Sequence, residues 1–156
     1  MEKWYYGPVN SLWLQSLTAR LTLTILVAAW MSFIFYLSSQ SPSELPAKRA
    51  FDFLGDLTDV VGHLGLYGIL GTLLLLTSWS WVRGSNEQTR WAVITVIIGI
   101  LYGASDEYHQ AFTPLRSASL FDVLIDGIGV VVSIMSVRYV THAWSRRKHP
   151  DTNSLR

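Results

Sequence analysis

Residues 21–39 read LTLTILVAAWMSFIFYLSS, nineteen positions without a charge. About 20 predominantly apolar residues in a helix reach across the hydrocarbon core of a bilayer. Three more blocks approach or exceed that length. Residues 60–82 are interrupted only by His63. Residues 91–105 are apolar, and the helical pattern continues through Asp106 to Phe112. Residues 120–143 carry Asp122, Asp126, Arg138 and His142 in an aliphatic run. A helix at a water-facing surface has a polar stripe, whereas these blocks are apolar all round. The expectation is an all-α, polytopic membrane protein: a bundle of four transmembrane helices.

The amount of apolar residue does not carry this reading. The hydrophobic fraction is 50%, close to the roughly 45–50% of ordinary globular chains. Segregation carries it, since the charged 15% falls largely between the blocks. A chain of 156 residues has room for one domain. It divides as an N-terminal segment 1–20, a membrane domain 21–143 and a polar tail 144–156. The absence of cysteine excludes a disulfide scaffold, thiolate metal sites and thiol catalysis. A net charge of +1, with no long run of like charges, argues against a nucleic-acid partner.

Trp4, Tyr5, Tyr6 and Trp13 precede the first block, Trp79 and Trp81 close the second, and Trp91 opens the third. Such positions suit the aromatic belts of a membrane interface. The first block is longer than a signal-peptide core and has some twenty residues before it, so it reads as an uncleaved anchor. Nine lysines and arginines (Lys3, Arg20, Arg83, Arg90, Arg138, Arg146, Arg147, Lys148, Arg156) fall on one side of the alternating blocks, and three (Lys48, Arg49, Arg116) on the other. The positive-inside rule then puts both termini in the cytoplasm of a cell (inner or plasma) membrane. Links 40–59 and 109–118 face outward. In the first of these, Pro42 and Pro46 break any continuous helix, and residues 47–57 mix apolar with charged positions as a short interfacial helix would.

Ionisable residues inside a span are costly and mark functional sites by default. Asp59, His63 and Tyr67 recur every fourth residue, on one helix face. Asp106, Glu107 and Gln110 end the third block, and Asp122 and Asp126 begin the fourth. With alternating directions, His63, Asp106 and Asp122 are expected at one level, about one turn below the outer surface. Ser119 and Asp122 also match a capping box, and a capping role explains Asp122 as well as a functional one. Adjacent residues point apart on a helix, so only one of Asp106 and Glu107 is expected to face the cluster. Arg116 is the natural counter-charge, beside Pro114. Glycines 62, 65, 68 and 71, with Gly99, Gly103, Gly127 and Gly129, are read as close-packing positions between helices.

The run from Tyr102 to Gly129 resembles the signature of VanZ-like membrane proteins, D-E-x-x-Q-x-F-x-P-x-R-x-x-S-x-x-D-x-x-x-N-x-x-G. It matches at Asp106, Glu107, Gln110, Phe112, Pro114, Arg116, Ser119, Asp122 and Gly129. Asp59, His63 and Tyr67 are similar to that family's upstream motif, and residues 37–40 to its L-S-S-Q. Three positions depart from it: Val60 in place of lysine, Asp126 in place of asparagine, and Leu115 where glycine is frequent. The likeness covers about residues 25–140. It implies a cell-envelope protein and, through the family's namesake, a link to resistance to the glycopeptide teicoplanin.

Two functional readings follow. In one, an outward polar pocket of Asp59, Tyr67, Gln110, Arg116, Ser119 and Asp126 binds a lipid headgroup or cell-wall precursor, with Arg116 clamping the anion and Asp106 or Glu107 holding Arg116. In the other, a membrane-embedded hydrolase or transferase acts on a lipid-linked envelope substrate. His63 is then the base, oriented by Asp59 or Asp122, and Glu107 the acid; Ser105 and Ser119 are candidate nucleophiles. Asp106 and Asp122 complete the candidate catalytic set. No cofactor or metal is expected: a variant of the enzyme reading with a divalent metal on His63 and the acids ranks low, since no H-x-x-x-H pair is present. A purely structural polar latch and an ion-coupled transporter rank below these.

Overall fold

The computed structural model describes residues 14–41, 56–82 and 85–148. They form four helices: α1 Leu17–Ser38, α2 Asp56–Trp81, α3 Ser85–Gln110 and α4 Leu120–Lys148. No strand occurs among the described residues. Three stretches are long and apolar enough to cross a membrane: Leu17–Ser38, Leu57–Trp81 and Leu120–Arg147. The α3 helix does not meet that criterion. Its apolar middle is flanked by Ser-Asn-Glu-Gln-Thr-Arg at one end and Ser-Asp-Glu-Tyr-His-Gln at the other. The interfacial helix expected over residues 47–57 lies almost wholly outside the described residues, α2 beginning at Asp56.

Local chemistry explains the helix ends. Ser16 caps α1, its hydroxyl accepting from the Ala19 amide at 3.1 Å. The first block therefore begins a turn earlier than its apolar run, and Arg20 lies within the helix. Arg20 Nε donates to the Ser80 carbonyl at 2.9 Å, and its guanidinium stands 5.0 Å from the Trp81 ring centroid. A cation thus meets the carbonyl end of α2, where the helix dipole favours it. At its far end α4 runs on to Lys148, so the first residues of the polar tail, 144–148, are helical.

The α4 helix packs most extensively on α2, and also on α3; α1 lies chiefly against α2. Ile34, Tyr67, Leu70, Leu75, Trp79, Ala92, Val130 and Ile134 form the core. Close approach of α2 and α4 is set at Gly129, where an added Cβ would stand 2.9 Å from the Leu64 carbonyl oxygen. Gly71 and Gly99 likewise face Val130. Gly62 and Gly65 do not pack as expected: a Cβ at either would meet nothing within 4 Å. The glycine repeat winds around α2, so only its Gly68 and Gly71 end reaches α4.

The exterior is apolar: Ile25, Ile97, Leu101, Val132, Met135 and Val140 are exposed. Meanwhile Asp106, Glu107, Gln110 and Asp126 are buried. Such an inversion suits a lipid surround, because water would penalise that exterior.

Candidate functional site

The buried polar residues gather where the Gln110 end of α3 meets the Leu120 end of α4 and the first turns of α2. His63 Nδ1 lies 2.8 Å from Asp126 Oδ1. A carboxylate accepts, so Nδ1 carries the proton and Nε2 is left as the basic nitrogen. Asp126 is fully buried, and His63 is 15% exposed. The ring of His63 runs parallel to that of Tyr67, with centroids 6.4 Å apart, and Tyr67 is fully buried. One ligand atom each from His63, Glu107 and Asp126 lies within 4.8 Å of the other two.

This arrangement corrects the expected partners. The orienting acid of His63 is Asp126, not Asp59 or Asp122, both of which are half-buried. The acid of α3 that joins it is Glu107, the one the enzyme reading paired with His63, rather than Asp106, which was expected at the same level. Neither α3 acid points away, however: Asp106 and Glu107 are 4% and 3% exposed. They turn to different partners, as adjacent helical positions must.

Asp106 Oδ2 accepts from Gln110 Nε2 at 3.2 Å, and Gln110 Oε1 accepts from Arg116 Nη1 at 2.8 Å. Arg116 Nε donates to the Gln40 carbonyl at 3.0 Å. Gln110 therefore relays Asp106 to Arg116, and the direct acid–arginine contact expected from sequence is absent. Among the described residues no carboxylate lies within 4.0 Å of the Arg116 guanidinium.

Glu107 divides its two oxygens. Oε2 accepts from the Ser119 amide at 2.8 Å, while Oε1 is buried without a hydrogen-bond partner. The Ser119 hydroxyl accepts from the Asp122 amide at 3.2 Å. Half of the expected capping box is thus present, with Glu107 of the neighbouring helix in the reciprocal role that spacing assigned to Asp122. The nucleophile assignments do not fit: Ser119 Oγ caps its helix, and Ser105, exposed, donates to the Tyr102 carbonyl at 2.8 Å.

The α3–α4 link holds its shape by short turns. Thr113 N donates to the Gln110 carbonyl at 2.9 Å and Arg116 N to the Thr113 carbonyl at 3.2 Å. Leu115 adopts a left-handed φ of 64°, which explains why glycine suits this position. Sequence reasoning missed the residues that tie the link to α1. Thr113 Oγ1 donates to the Ser38 carbonyl at 3.2 Å; His109 stacks on Phe35 with centroids 4.2 Å apart and shares a 3.1 Å bond with Ser39. The polar Ser38-Ser39-Gln40 end of α1 was the available signal. Tyr102 adds a crosslink, donating to the Met31 carbonyl at 2.6 Å.

Long apolar helices with an apolar exterior, enclosing a histidine and buried acids at one end, define a multi-pass helical membrane protein with a polar site built from α2, α3 and α4. The family model described as VanZ/LLP1 matches residues 23–141. The chain belongs to that family. No curated protein and no solved structure matches it.

Proposed function

We propose that this protein crosses the cell membrane four times with both termini in the cytoplasm, and holds the anionic headgroup of an envelope lipid or lipid-linked cell-wall precursor at its outward end. A crossing α3 is supported by its contacts along both neighbours. Ser78 meets Thr95 at 3.3 Å near one end, and Glu107 meets Ser119 at the other. Its 26 residues extend about 39 Å at 1.5 Å per residue. The charge count of nine against three supports the orientation.

The headgroup reading rests on one observation. Arg116 is fixed by two neutral acceptors, the Gln40 carbonyl and Gln110 Oε1, so its position is set, and among the described residues no carboxylate pairs with its charge. A guanidinium held in this way suits phosphate or carboxylate. The test is lipid retention by protein purified from a Gram-positive membrane, read by native mass spectrometry. Wild type is expected to retain an anionic lipid that Arg116→Lys loses at least tenfold, because a point charge does not replace the fork. Equal retention would sink the reading. Teicoplanin susceptibility of the same two strains, at matched membrane abundance, asks whether the site serves the role after which the family is named.

A second reading is favoured by the His63–Asp126 pair with Glu107 beside it. It makes the protein an enzyme, a hydrolase or transferase of lipid-linked envelope substrates with His63 as base and Glu107 as acid. Under this reading His63→Gln abolishes turnover while lipid retention persists. Loss of abundance before loss of activity would instead mark the pair as a structural latch.

A further inference from the structure

We propose that His63, Glu107 and Asp126 bind a divalent transition-metal ion. Three donor atoms, one imidazole nitrogen and two carboxylate oxygens, already lie within 4.8 Å of one another. Tetrahedral ligands about 2.0–2.2 Å from a zinc ion stand roughly 3.3–3.6 Å apart, so side-chain shifts of up to about 1 Å close the shell. They come from three different helices: α2 and α4 approach closely at Gly129, and α3 approaches α4 at Gly99 and Gly103.

The second observation is the state of the acids. Glu107 Oε1 and Asp126 Oδ2 are buried and have no hydrogen-bond partner, although their residues are 3% and 0% exposed. The other oxygen of each is spoken for, by the Ser119 amide and by His63 Nδ1. Each carboxylate is thus oriented through one oxygen and leaves the other aimed at no protein donor. Two buried acids of this kind are costly unless a cation or protons neutralise them. Arg116 does not do so, being tied to Gln110 and Gln40.

The donor set selects the ion. One imidazole with two carboxylates and no thiolate suits manganese, iron or zinc. Three protein ligands leave coordination positions for water or for an oxygen of a bound ligand. Gly103 contributes space: a Cβ there would stand 2.9 Å from Asp126 Oδ2. From sequence a metal on His63 and the acids ranks low because the ligands come one per helix, with no spaced pair on any of them.

The test uses the full chain in phosphatidylcholine nanodiscs, stripped with chelator and titrated with Mn2+ while free ion is followed by electron paramagnetic resonance. The expected result is one saturable Mn2+ per chain, displaced by Zn2+. Glu107→Gln and Asp126→Asn are each expected to weaken it at least tenfold. Both carboxamides keep the oxygen that accepts from Ser119 or His63, so the fold is retained. Glu87→Gln, an acid at the opposite end of α3, is expected to match wild type. Absence of saturable binding would mean that protons neutralise the acids, and it would overturn the proposal. Unchanged binding in both carboxamides would do the same. Should either variant fail to accumulate, nitrogen hyperfine coupling on the wild-type Mn2+ decides: its presence supports His63 as ligand and its absence refutes it. The inference is separate from the headgroup reading, since Arg116→Lys is expected to leave Mn2+ affinity within twofold whatever it does to lipid retention.

Discussion

Alanine at Gly129 and alanine at Gly65 are expected to move stability in opposite directions. At Gly129 the new Cβ would stand 2.9 Å from the Leu64 carbonyl oxygen, 3.2 Å from the Gly68 amide nitrogen and 3.3 Å from the Leu64 Cα. All three are backbone atoms of α2, so no side chain can swing aside and the two helices must part. Overpacking of this kind costs about 1–3 kcal/mol, against a gain of roughly 0.5–1 kcal/mol from replacing a helical glycine. The balance is a loss of about 1–2 kcal/mol. At Gly65 nothing lies within 4 Å, and only the gain remains. With roughly 2–4 °C per kcal/mol for a chain of this size, the two variants should melt about 3–12 °C apart. Thermal unfolding in detergent can be followed by the fluorescence of the seven tryptophans. Because Leu64 adjoins His63 and Gly129 lies one turn from Asp126, Gly129→Ala should also weaken the His63–Asp126 contact. Should both variants shift in the same direction, the α2–α4 backbone contact does not set helix separation and the argument fails.

Three further outcomes are expected. Leu115→Gly removes a left-handed leucine that costs about 1–2 kcal/mol, less the entropy glycine loses on folding; melting should rise by a few degrees, and a fall would mean that the exposed leucine side chain holds the link. Glu107→Ala leaves the Ser119 amide without its acceptor at a cost of about 1–3 kcal/mol, whereas Glu107→Gln keeps that bond and should melt close to wild type; equal losses in both would assign the effect to charge instead. Tyr102→Phe removes the 2.6 Å bond to the Met31 carbonyl and should cost about 0.6 kcal/mol, the average for such bonds between membrane helices, measurable by denaturant unfolding in mixed micelles.

The helices were legible in the sequence because polar residues interrupt an otherwise apolar chain at intervals near one membrane thickness. The pairing inside the site was not. Spacing fixes depth along one helix, but the stagger between helices depends on where each begins. His63 lies seven residues past Asp56, the start of α2, and Asp126 six past Leu120, the start of α4. Those starts, once known, match the two residues and leave Asp122 a turn too shallow. Charge counting also treated Arg20 as a mark of orientation alone, whereas it closes the carbonyl end of α2. Nor does a repeat of glycines say which of them faces a neighbour: Gly68 and Gly71 meet α4, while Gly62 and Gly65 stand open.

The divided carboxylate of Glu107 has a consequence for the link that carries Arg116. Whatever withdraws electron density from Oε1, a proton or an ion, weakens Oε2 as the acceptor for the Ser119 amide. The order of the segment from Phe112 to Ser119 and the occupancy of the buried cluster are then two readouts of one equilibrium. Linkage makes the influence mutual and equal in free energy. A bound ligand, as distinct from a substitution at Arg116, feeds back on the acids only to the extent that it orders this segment, and amide exchange at Ser119 would register both events.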